Sequence, residues 1–162
     1  LKGLKVGIVG DILHSRVARS NIYGLINMGA EVMVCGPPNL IPRNIKDLGV
    51  DVKNDLDELI EWADALNILR IQKERMGQPL IPSTREYRSS FGITLDRLRN
   101  HKKEITIMHP GPMNRGVEID SQVADSEQAI ILDQVLNGVA SRMSILYCLC
   151  GGYSNEMEQN ER

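Results

Sequence analysis

The sequence predicts an α/β fold: a doubly wound, Rossmann-like parallel sheet with helices on both faces. Short apolar runs alternate with helix-spaced segments, and glycine, proline or capping residues punctuate the alternation. Neither an internal repeat nor a domain linker interrupts it, and 162 residues suit one domain with a real core. Such alternation builds right-handed βαβ units, hence a parallel sheet covered on both faces.

The elements follow in order. Residues 5–10 form an apolar run ending in Gly10-Asp11, which reads as a buried strand. Ser15 is placed to cap a helix carrying Val17, Ile22, Leu25 and Met28, which stops at Gly29. Glu31 to Cys35 is a second strand, halted by Gly36-Pro37-Pro38. Asn44 to Leu48 predicts a short helix closed by Gly49, and Val50 to Val52 a small strand. Asp55 caps Leu56 to Trp62, and Ala65 to Ile71 returns as a strand. Lys73 to Gly92 is polar and reads as a long functional loop. Thr94 caps Leu95 to Asn100, Ile105 to Met108 is a strand, and His109 to Gly116 is a Pro/Gly loop. A long helix is expected from Ser126 to Gly151-Gly152. Residues 1–152 then make the domain, and 153–162 a polar, frayed tail.

Composition narrows the function. A net charge of −2 supplies no electrostatic case for nucleic acid or an anionic membrane. Aromatics are 4% of the chain, too few for a base-stacking surface. No stretch spans a bilayer and no signal peptide opens the chain. Cys35, Cys148 and Cys150 do not make a disulfide framework, and Cys148-Leu149-Cys150 is a poor metal motif. They read as reduced, half-buried thiols, with Cys148 and Cys150 near a helix end; no metal or cofactor is expected, and the cytoplasm is the expected compartment. The chain opens on Leu1 rather than Met, which reads as a piece of a longer protein.

Ligands of doubly wound sheets bind beyond the carboxyl ends of the strands. Gly10–Arg16, Arg70–Arg75 and His109–Arg115 all fall there. Gly7-Ile8-Val9-Gly10 lacks the third glycine of a dinucleotide fingerprint, which disfavours a nucleotide-dependent oxidoreductase. Arg16 puts a cation in the first turn of a helix, against the dipole, where a bound anion would satisfy both the guanidinium and the free N–H groups. The alternative is a surface ion pair. Arg70 and Gln72 lie two apart on a strand and so project together, suited to a carboxylate and an amine or amide. Lys73 to Arg75 reads as a solvated loop start. Pro110 and Pro112 stiffen the turn around Gly111 and leave carbonyls able to hold an NH2 group. His109 reads as structural rather than catalytic, with no Ser or Cys placed to form a triad.

Three stretches resemble the aspartate carbamoyltransferase family over essentially the whole chain to Gly151. Gly10-Asp11-Ile12-Leu13-His14-Ser15-Arg16-Val17-Ala18-Arg19-Ser20-Asn21 is similar to the segment that opens its second domain. Leu69-Arg70-Ile71-Gln72-Lys73-Glu74-Arg75 resembles its R-[VI]-Q-x-E-R motif. His109-Pro110-Gly111-Pro112-Met113-Asn114-Arg115-Gly116-Val117-Glu118-Ile119 resembles its H-P-G-P-x-N-R-G-x-E-[IL] loop, where ornithine enzymes typically carry a Cys-containing H-C-L-P loop.

The resemblance implies that Arg16, Arg70 and Gln72 bind L-aspartate. It implies that Pro110, Gly111 and Pro112 contact the carbamoyl group of carbamoyl phosphate through their backbone, and that His109 and Arg115 order that loop. Residues 73–92 would be the family's mobile loop, closing over the substrates. Partners implied are an N-terminal carbamoyl-phosphate domain with its S-T-R-T motif and a homotrimeric assembly with shared sites. Ser83-Thr84-Arg85 imitates that motif but precedes Glu86 and follows no strand, so it is rejected as the phosphate site. The catalytic set is therefore incomplete in this chain, and the domain by itself is expected to turn over negligibly. The last helix carries more apolar residues than one face needs, among them Ile130, Leu132, Val135, Leu136, Val139 and Leu146. In the family the matching helix packs on the N-terminal domain. A non-catalytic aspartate-binding or regulatory module is the competing reading.

Overall fold

The computed structural model describes residues 1–71, 81, 83–101 and 104–150. Its sheet has five strands in the order β3-β2-β1-β4-β5, formed by β1 (Lys5–Val9), β2 (Glu31–Cys35), β3 (Asp51–Lys53), β4 (Ala65–Ile68) and β5 (Thr106–Met108). Every pairing is parallel; β1 sits between β2 (Val9↔Cys35) and β4 (Val9↔Ile68). The helices are α1 (Arg16–Asn27), α2 (Leu56–Trp62), α3 (Thr84–Phe91), α4 (Leu95–Asn100), α5 (Ser121–Ala124) and α6 (Ile131–Leu149). The chain runs outward from β1 to β2 and β3, then crosses back to β4 and β5. The β1/β4 boundary is therefore the switch point where such sheets open a crevice.

Two cores form because successive strand residues face opposite sides. On the α1 side, Ile8, Val32, Val34 and Leu69 pack with Ala18, Ile22, Ile45 and Val50. On the other, Val9, Leu66, Ile68 and Ile107 pack with Leu56, Leu59, Ile60, Ile93 and Val123. Each fully buried aliphatic side chain contributes on the order of 2 kcal/mol. Both faces of the doubly wound sheet are thus covered, as the alternation of strands and helices predicts.

Ser15, Asp55 and Thr94 cap α1, α2 and α4, accepting from Ala18 N, from Asp57 N and Glu58 N, and from Arg97 N. Asn44–Leu48 forms only a 3₁₀ turn over Ile45–Leu48, closed by Gly49 at φ 80°. Three expectations need correction. The stretch Lys73–Gly92 is not all loop: Ser83 caps α3, and burial of Tyr87 against Phe91 outweighs the polar composition. The same cap places Ser83-Thr84 at a helix start. The last helix begins at Ile131 rather than Ser126. Ala129 instead bridges to Ile107, and Ser126 Oγ bonds back to Val123 O (2.8 Å), while α5 was unforeseen. Cys148 and Cys150 are exposed rather than half-buried, and Cys35 is buried in β2.

The chain divides into two compact units, Leu1–Ile131 and Leu132–Arg162. In the second, α6 presents Leu132, Val135, Leu136, Val139, Met143 and Leu146 at helical spacing, all exposed. Among the described residues no helix is long and apolar enough to cross a membrane. The tail beyond Cys150 and Gln72–Leu80 lie outside the described residues.

Candidate functional site

Beyond the carboxyl ends of β1, β4 and β5 stand three segments, brought side by side because those strands are neighbours in the sheet. After β1 the chain turns sharply. Gly10 has φ 123°, its N–H donates to Cys35 O at 2.9 Å, and Leu69 N–H donates to Val9 O at 2.8 Å. The turn carries a buried carboxylate. Asp11, 0% exposed, accepts from His14 N (3.0 Å) and lies 2.9 Å from His14 Nδ1. That clamp and the Ser15 cap set where α1 begins. Arg16, the first residue of α1, is exposed, and its guanidinium has no carboxylate partner among the described residues. Among the described residues, then, the surface ion pair that competed with an anion site is not made.

β4 ends at Ile68 rather than at the expected Ile71, so Arg70 follows the strand instead of lying on it; there Arg70 is half-buried while Leu69 and Ile71 are buried at 1% each. Arg70 Nε itself is shielded from solvent. Gln72 lies outside the described residues.

After β5 comes the 109–118 loop, with Gly111 at φ 66° and a cis peptide bond to Pro112. Only glycine takes that φ without strain. His109 is 0% exposed; its Nδ1 accepts from Gly111 N at 2.9 Å and its Nε2 stands 3.5 Å from Glu118 Oε1. Accepting at Nδ1 puts the ring proton of a neutral imidazole on Nε2, toward the carboxylate. Glu118, also 0% exposed, accepts a hydrogen bond on Oε1 from Asn114 N. Asn114 Nδ2 donates to Ile71 O at 3.2 Å and so joins the loop to the β4 exit. Arg115 forms a two-pronged pair with Asp125 (2.7 and 2.7 Å), which pushes the Asp125 carboxyl below its usual range.

Pro110, Gly111 and Pro112 thus sit on a loop braced from within, beside the strand exits that carry Arg16 and Arg70. The arrangement offers cations for carboxylates and backbone carbonyls for an amide-like NH2 group. Sequence reasoning missed the supporting groups Asp11 and Glu118. Asp11 and Glu118 stood inside the quoted motifs, but nothing in a linear sequence marks a carboxylate as buried.

Comparison with known proteins agrees with this geometry. The family model described as "Aspartate/ornithine carbamoyltransferase, Asp/Orn binding domain" matches residues 2–149. The chain is 60% identical over 152 residues to the aspartate carbamoyltransferase catalytic subunit of Gemmatimonas aurantiaca, covering 94% of this chain and 48% of that protein. It is 57% identical over 153 residues to that of Carboxydothermus hydrogenoformans, covering 94% and 49%. Among solved structures, the catalytic subunit of M. jannaschii aspartate transcarbamoylase superposes with TM-score 0.72 at 32% identity, covering 91% of this chain and 50% of that one. The chain therefore spans about half the length of the relatives it matches. With its strand order, its three strand exits and this match, the chain belongs to the aspartate/ornithine carbamoyltransferase family, as the Asp/Orn-binding domain.

Proposed function

We propose that this chain is the L-aspartate-binding half of an aspartate carbamoyltransferase, an enzyme of pyrimidine biosynthesis that makes N-carbamoyl-L-aspartate and phosphate from carbamoyl phosphate and L-aspartate. The observation that carries the reading is the adjacency, at one switch point, of an exposed Arg16 with no carboxylate partner among the described residues, a half-buried Arg70 and the braced 109–118 loop. The names of the most similar relatives point the same way.

In this reading Arg16, Arg70 and Gln72 hold the two carboxylates, leaving the amine turned toward the loop. Backbone groups of Pro110, Gly111 and Pro112 hold the carbamoyl group, while His109 and Arg115 keep the loop in shape. The neutral amine attacks the carbamoyl carbon. A C–N bond forms, the C–O bond to phosphate breaks, and the amine proton leaves with solvent or phosphate. Positioning of two anionic substrates and stabilisation of the tetrahedral oxyanion supply the rate. The chain's described residues contribute the aspartate side of that constellation. A carbamoyl-phosphate domain contributes the remainder, in a cytoplasmic homotrimer.

The exposed stripe on α6 is read as surface that the other half covers, since patches of this kind are otherwise association sites. The isolated 162-residue chain is expected to bind L-aspartate weakly, to turn over negligibly and to self-associate. A carbamoylation assay and sedimentation test this. Robust turnover by the chain alone overturns the two-half reading. Aspartate binding that never supports transfer, even with a carbamoyl-phosphate domain supplied, favours a non-catalytic aspartate module. Ornithine used in preference to aspartate sinks the substrate assignment.

A further inference from the structure

One buried polar group near the site has no place in that scheme. Tyr87 lies on α3, 2% exposed, with its ring 5.8 Å from that of Phe91. Its hydroxyl reaches the turn after β1: a Cβ added at Gly10 would stand 3.2 Å from Tyr87 Oη and 3.1 Å from Leu69 O. The hydroxyl therefore sits where the β1 and β4 exits meet, beside the residues that precede Asp11 and Arg70. Burial first, then the nearby acidic groups of Glu118, Cys35 and Asp11, hold this phenol above its usual range, so it remains a neutral donor.

Neither Tyr87 Oη nor Glu118 Oε2 has a hydrogen-bond partner among the described residues, although both are shut off from solvent. Glu118 spends its other oxygen on Asn114 N and faces His109. A phenol donates and a carboxylate accepts only, so the two orphaned atoms are complementary. The elements that carry them are already tied together: Arg88, next to Tyr87, pairs with Asp120, and Ile93 N–H donates to Glu118 O at 3.0 Å. Glu118 is close enough to act on the phenol electrostatically, so the two orphaned atoms belong to one neighbourhood.

We propose that Tyr87 is a positioning residue of the aspartate site: on binding of a dicarboxylate between the β1 and β4 exits, its hydroxyl donates to Glu118 Oε2 and locks the 109–118 loop against the Arg16 and Arg70 segments. The inference rests on the aspartate-site reading above. It gives the ligand-bound state a bond the free state lacks, which is the condition for a ligand to favour one arrangement over another. It also reverses the usual sign for a buried tyrosine. In the free protein, Tyr87→Phe removes an unsatisfied hydroxyl and breaks nothing.

The test uses the longest polypeptide that carries this sequence, titrated with succinate in the presence of carbamoyl phosphate and melted without ligand. Wild type is expected to bind; if it does not, the aspartate-site reading fails and takes this inference with it. Given binding, Y87F should bind succinate about tenfold more weakly, as for a lost bond to a charged group, with its ligand-free melting temperature unchanged or raised. E118Q retains a carbonyl for Asn114, and combined with Y87F should weaken binding no further than either change alone. Binding by Y87F equal to wild type, a lowered melting temperature with unaltered affinity, or additive losses in the double variant each overturn the proposal while leaving the site reading intact.

Discussion

The turn after β1 and the loop after β5 face the same crevice but are held by different means. The turn is local: Asp11 binds His14, Ser15 caps Ala18, and Gly10 donates to the neighbouring strand. Its side-chain bonds span only three residues, although Gly10 N–H and Leu13 N–H reach Cys35 O and Leu40 O, and it leaves Arg16 exposed. The loop depends on two buried ionisable side chains, His109 and Glu118, and on contacts to Ile71 and Ile93 far away in the chain. A segment whose side-chain bonds are local can set a helix start and present a cation there with little help from distant side chains. A segment wired through buried ionisable side chains forms only when the whole domain has folded, and it then holds backbone carbonyls rigidly.

If that difference is real, the largest loss of stability should come from the loop's buried anchor. Glu118→Ala strands the Asn114 N–H and removes the carboxylate facing the buried His109 ring, and should cost about 3 kcal/mol in denaturant unfolding. A loss under about 1 kcal/mol would mean that the loop does not depend on Glu118. Gly36→Ala attacks the turn at its long-range contact with the end of β2. A Cβ there collides with the Gly10 carbonyl, which is backbone and cannot swing aside. A loss of about 2 kcal/mol is expected, of the kind overpacking produces. Ser15→Ala removes a purely local bond and should cost about 1 kcal/mol. If it cost more than Glu118→Ala, the ranking of local against distant support would be inverted.

The smallest effect belongs to the loop's surface pair. Arg115 and Asp125 are 42% and 63% exposed, so solvent screens them, and Arg115→Ala should leave the melting temperature at neutral pH unaltered. The sign of any residual effect is defined. The hydrogen bond from Arg115 lowers the Asp125 carboxyl below its usual range, so its stabilisation is present above that range and lost as the pH falls through the lowered value. Wild type and variant should therefore converge in acid, and divergence there would assign Arg115 a different partner.

Much of this molecule was legible in the linear sequence. Strand runs, caps at Ser15, Asp55 and Thr94, and the Gly49 stop are local signals, set by propensity and by backbone groups seeking partners a few residues away. The positions of Arg16, Arg70 and Pro110–Pro112 at strand exits followed from the same pattern, because α/β topology places ligands there. The α3 helix was missed because its polar composition resembles a loop, and only burial of Tyr87 and Phe91 against distant residues makes it worth forming. The start of the last helix was misplaced for a similar reason: Ala129 pairs with β5, a contact more than twenty residues away.

By itself, then, the sequence determined the fold class, the order of the elements, and which segments meet at the switch point, since these depend on periodicity and nearest-neighbour bonding. Only the tertiary structure decided which carboxylates are buried, that Asp11 serves the turn and Glu118 the loop, and that Tyr87 stands beneath both strand exits. Burial is a property of what surrounds a residue, and the surroundings of Glu118 and Tyr87 come from strands and loops remote in sequence, assembled only when the sheet closes its two cores.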